Sequence, residues 1–204
     1  MNLMDLLQWQ LSDGVLNGMD QQLNIGNSEK TNVAANAALN LLMSAISKNA
    51  TSSESALSGL AGALDRDHDG SILDDLMGLL GGQKKAQNDK MLNGAGILGH
   101  LLGQKQETAA GALSQISGLD KNQSLGMLMK LAPVVLGVLG RVKKQKHMDN
   151  QGLQQFLNVS QEQYVQKNQG ADIFTKLLDK DGDGSVMDEV ASMGMKMLGN
   201  FLKR

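Results

Sequence analysis

Apolar residues recur at intervals of three and four along most of the chain, the spacing that lines one face of an α-helix. Val33, Ala37, Leu41, Leu42, Ala45 and Ile46 form one such stripe, and Leu125, Leu128, Leu131, Val135 and Val138 form a second around Pro133. That proline lacks an N–H and crowds the preceding turn, so the pattern predicts a kink or a restart in the second helix. Shorter stripes appear at Leu3, Leu6 and Leu7, at Ile72, Leu73, Leu76, Met77 and Leu80, and at Val186, Val190, Met193, Met197 and Phe201. Every stripe needs a covering helix, which predicts an all-α protein built as a multihelical bundle.

The stripes occur in two sets. Leu3-Met-Asp-Leu-Leu7 is answered by Leu98-Gly-His-Leu-Leu102, and the long helix that follows Gly26 by one that follows Gly118. We read two tandem pseudo-repeats, residues 1–83 and 93–204, joined by a polar linker over 84–92. An insertion near 158–170 lengthens the second copy. Units this small cannot hide both faces of their helices alone. The copies are expected to pack about a pseudo-twofold axis into one compact domain.

Composition agrees with that picture. Apolar residues make up 41% of 204, aromatics only 2%, and the 13 methionines and single proline favour helix. The 24 glycines do not. Inside a helix each costs about 1 kcal/mol relative to alanine, so they are expected at helix ends and at close helix contacts.

Candidate chemistry is concentrated in one motif, written twice. Asp65-Arg-Asp-His-Asp-Gly-Ser-Ile-Leu-Asp-Asp75 and Asp179-Lys-Asp-Gly-Asp-Gly-Ser-Val-Met-Asp-Glu189 share acids at places one, three, five, ten and eleven, with Gly-Ser at six and seven. This resembles the EF-hand and dockerin calcium loops: three carboxylates turn onto one hard cation, and the glycine permits the sharp bend. The twelfth place, where an EF-hand carries a bidentate Glu, holds Leu76 and Val190, so Asp75 and Glu189 are the substitute closing ligands. The metal set is Asp65, Asp67, Asp69, Ser71 and Asp75 in loop 65–76, and Asp179, Asp181, Asp183, Ser185 and Glu189 in loop 179–190. Two Ca²⁺ ions are expected, with affinities of roughly 10⁻⁵ to 10⁻³ M and Mg²⁺ as a weaker competitor. The same residues also read as plain turns, with Ser71 and Ser185 opening capping boxes.

Gly96-Ile-Leu-Gly-His-Leu-Leu-Gly103, Ser117-Gly-Leu119 and Leu131-Ala-Pro-Val-Val-Leu-Gly-Val-Leu-Gly140 resemble the YidB-like bacterial family, a domain of unknown function, over roughly residues 1 to 160. The resemblance implies a multihelical bacterial cytoplasmic protein and brings no catalytic residues with it. The metal loops stand on their own residues.

Several function classes fall away. A net charge of −2 is unlike a nucleic-acid binder, and the basic run Arg141–His147 reads as a solvated C-terminal helix cap. Cysteine is absent. Met1–Trp9 carries an acid and no basic lead, unlike a secretory signal, which points to the cytoplasm. Leu125–Gly140 is shorter than the roughly 20 residues that span a bilayer, so a buried helix is expected rather than membrane insertion. Gly94-Ala-Gly-Ile-Leu-Gly99 matches a dinucleotide fingerprint only in spacing, because no strand precedes it. His68, at the variable fourth loop place, is expected in solvent, and His100 at a surface or boundary position. None of the histidines lies in a nucleophile motif, so no enzyme is predicted.

Two readings remain. One is a calcium-loaded structural or assembly module. The other is a regulatory protein in which calcium exposes the Met-rich C-terminal helix to a protein partner. Apolar stripes on nearly every helix also favour a homo-oligomer, through that helix or around Leu3, Leu6, Leu7 and Trp9.

Overall fold

The computed structural model describes residues 3–75 and 93–167, with side chains over 3–73 and 93–163. Helices α1 (Leu3–Gln10) and α2 (Asp13–Gln22) lead into the long α3 (Ser28–Ser52), then α4 (Glu54–Arg66) and a 3₁₀ turn (Ser71–Asp75). The second half holds α5 (Gly94–Leu102), a 3₁₀ turn (Gly103–Lys105), α6 (Gln106–Ser117), the long α7 (Lys121–Gln145) and α8 (Asn150–Lys167). The described residues are all-helical, without strands. Helix lengths of 8, 10, 25 and 13 residues are followed by 9, 12, 25 and 18, so the order of elements recurs.

Helix starts are set by short polar side chains. Asn27, Ser53 and Asn93 accept the N–H of Lys30, Ala56 and Gly96, satisfying donors that no turn of helix can reach. Asp120 and Gln123 form a complete capping box before α7. Gly26 and Gly118 end the preceding turns at φ +65° and +69°, a region glycine enters without penalty. The two turns are then tied across the molecule. Lys30 Nζ donates to the Gly118 carbonyl at 3.1 Å, and Gln123 Nε2 donates to the Asn24 carbonyl at 3.0 Å. The third residue of each long helix therefore reaches the turn ahead of the other.

Both long helices lie at the centre of one core. Leu39, Leu41, Leu42 and Ile46 of α3 are fully buried, as are Met127, Leu128, Leu131, Val134, Val135 and Leu139 of α7. Residues 131–140 are buried on every side, which explains their continuous apolar run. By length and composition α7 could cross a membrane, its helix being longer than the apolar run suggests, yet 72% of its apolar window is buried within the protein. A bundle's central helix has that character. Val33 departs from the expected stripe at 42% exposure, because α3 turns that edge outward.

Pro133 does not end α7, which runs through it unbroken. The missing N–H leaves the Met129 carbonyl without its usual partner four residues on. Gly94, the first residue of α5, backs directly onto that carbonyl, and a Cβ there would overlap it. The glycines inside α7 act likewise, admitting Leu23 at Gly126, Ile72 at Gly137 and the His68 backbone at Gly140.

Candidate functional site

The first acidic loop grows out of the last turn of α4 and lies across the C-terminal half of α7. Asp65 is still helical, and Asp67 closes the helix, its N–H donating to Ala63 at 2.9 Å. The chain then bends at Gly70, where φ is +95°. Asp69 Oδ1 accepts the Ser71 N–H at 3.1 Å, and the Gly70 carbonyl accepts Leu73 N–H at 3.1 Å as the 3₁₀ turn begins. Hydrogen bonds from Ser71, with the Lys144 ammonium adding to them, hold the Asp69 carboxyl below the usual carboxylate range.

Three basic residues of α7 grip this loop. Lys143 Nζ lies 2.6 Å from Asp65 Oδ1, Lys144 Nζ lies 3.5 Å from Asp69 Oδ2, and Arg141 Nη2 donates to the Gly70 carbonyl at 2.8 Å. The run Arg141–His147 does end the helix, with Lys143 and Lys144 in its last turn and residues 144–147 exposed, but it is more than a solvated cap. Its first half is the counter-charge of the loop. Opposite charge in the two segments was the signal available in the sequence, and only the fold brings them together. Gly137 and Gly140 remove the side chains that would hold the loop away.

The expected ligands are thus distributed as follows. Asp65 and Asp69 are ion-paired, Asp67 caps α4, and Ser71 is exposed with its N–H on Asp69. Asp75 ends the 3₁₀ turn, and its side chain lies outside the described residues, as do Leu76, the whole second loop 179–190 and the Met-rich stretch expected to follow it as a helix. Among the described residues no three acidic or imidazole groups converge as a ready cation cage. The donor set nevertheless suits a hard cation, being all oxygen and acidic, and the turn at Gly70 has the bend such loops use. Two ammonium groups stand where a divalent ion would supply positive charge.

His68 corrects the sequence reading. It is 4% exposed rather than solvated, its backbone pressed on Gly140, and its Nδ1 makes no hydrogen bond among the described residues. Burial pushes the imidazole below its ordinary value of 6.5, only partly offset by the Asp67 carboxylate. His100 is exposed, as its position in α5 implied.

Fold and loop together define a class: an all-α bundle with an acidic loop clamped on its central helix. Residues 5–142 match the family described as "Bacterial protein of unknown function (DUF937)", and the chain belongs to that family. No curated protein and no solved structure matches it.

Proposed function

We propose that this is a non-enzymatic, calcium-binding helical protein of the bacterial cytoplasm, a structural or assembly module in which the ion fixes how the end of each repeat sits on the bundle. The observation that carries the reading is the pair of eleven-residue loops with acids at the same five places. The Lys143–Asp65 and Lys144–Asp69 pairs add a mechanism. A cation entering the first loop must displace two ammonium groups, so occupancy is coupled to the C-terminal end of α7. Within its family we place the chain with the YidB-like proteins, on Gly96–Gly103 and Leu131–Gly140. We also read two repeats about a pseudo-twofold axis, supported by the recurring helix lengths and the reciprocal Lys30 and Gln123 contacts.

Titration calorimetry tests the function directly. Two Ca²⁺ ions should bind per chain, and Asp67→Ala and Asp181→Ala should each remove one. Absence of heat at about millimolar Ca²⁺ would overturn the reading. Self-association is part of it, with Trp9 at 74% exposure marking one candidate face. Light scattering should give a mass above the 21.7 kDa of a single chain.

A further inference from the structure

A cavity of about 590 Å³ lies between α3, α4 and α5, with Asp67 and His68 of the acidic loop among its lining residues. Its volume falls in the range of small-molecule sites, roughly 300 to 1,000 Å³. Leu60, Ile97 and Leu136 supply an apolar lining. Arg66, His68 and His100 supply donors at the same cavity. The decisive member is His68. A buried ring nitrogen without a hydrogen bond is costly in a finished core, and here it belongs to a residue that lines an open volume. A ligand atom in that volume would complete the site.

We propose that this cavity binds a small amphipathic carboxylate, a molecule with a flexible apolar body such as a medium-chain fatty acid. The body lies on Leu60, Ile97 and Leu136, and the carboxylate accepts from the Arg66 guanidinium and from His68 Nδ1–H. Asp67, also at the cavity, repels the head toward Arg66. A guanidinium matches a carboxylate in a planar, two-point fit, which is why the head is assigned to a carboxylate rather than a hydroxyl. The site needs no metal; it shares Asp67 with the expected calcium loop, and chelation of metal in the test keeps the two readings distinguishable.

Octanoate, titrated into the full chain with EDTA present and followed in ¹H–¹⁵N spectra, is the test. Saturable shifts are expected at the amides of Gly59, Gly96 and His68. Gly59 lines the cavity, and a Cβ built there meets no atom within 4 Å, so Gly59→Leu is chosen to place a side chain at the cavity wall without a clash at its Cβ. Leucine is also the better helix former, which favours folding of the variant, and its dispersed amide spectrum checks that it has folded. It should weaken octanoate at least about tenfold, and Arg66→Gln should weaken it by a similar factor. Octanol should bind more weakly than octanoate. No saturation by about 10 mM octanoate, or equal binding to Gly59→Leu, overturns the site. Equal affinity for octanol overturns the carboxylate assignment.

Discussion

Lys143 Nζ lies 2.6 Å from Asp65 Oδ1, joining the end of α7 to the end of α4, and the two side chains differ in burial: Lys143 is 10% exposed and Asp65 59%. The asymmetry decides the outcome of mutation. Asp65→Asn leaves a nearly buried ammonium without its anion, an uncompensated desolvation worth about 1–3 kcal/mol. Urea unfolding should show that loss. Lys143→Met, which removes the charge and keeps the buried stem, should cost less.

Calcium and the lysines compete for the same carboxylates. Lys144→Gln is therefore expected to tighten Ca²⁺ at the first loop by about two- to fivefold, because the exposed Lys144–Asp69 pair is worth only a fraction of a kcal/mol to about 1. Calorimetry on an Asp181→Ala background isolates that loop. Weaker binding in Lys144→Gln would count against competition.

Gly140→Ala should be among the most damaging small substitutions in the chain. The added methyl would overlap the His68 carbonyl, and backbone cannot swing aside as a side-chain end can. Overpacking of this kind costs about 1–3 kcal/mol, against a helix-propensity gain of roughly 1. A thermal midpoint at or above that of the parent would show that the loop does not dock as closely as the structure has it.

Acid should loosen the same contact. Burial holds the folded pKa of His68 below the ordinary 6.5, the Asp67 carboxylate offsetting it only in part. As pH falls through the unfolded value, the unfolded chain takes up a proton that the folded chain refuses, and stability drops until the folded value is reached. Between about pH 7.5 and pH 5.5 the thermal midpoint should fall, and His68→Leu should flatten that fall. An unchanged slope in the variant would place the titration elsewhere.

Helix positions and the central core were legible because they depend on local spacing. Leu41, Leu42, Ala45, Leu131 and Val135 needed only their neighbours three and four away to be assigned inward. The glycines were legible in kind, though their partners were not: nothing near Gly137 or Gly140 points to residues 68–72. His68 was misread for the same reason, since a loop position is solvated or buried according to what the fold lays over it. The basic run was read only in part, because its place in the last turn of a helix explains it locally. Charges on Arg141, Lys143 and Lys144 acquire their role only through contacts about seventy to eighty residues away in sequence.

Pro133, Met129 and Gly94 together fix how far along α7 its neighbour α5 can sit. A regular helix offers every turn alike, and a partner can slide by one 5.4 Å turn at little cost in apolar contact. Here a single carbonyl is released by the proline, and a single residue without a side chain faces it. Sliding by a turn would set that carbonyl against a residue bearing a Cβ and leave Gly94 facing an ordinary turn. Two residues that individually weaken helices thus act as a key and its notch, specifying one axial register between α5 and α7 within the second half of the chain.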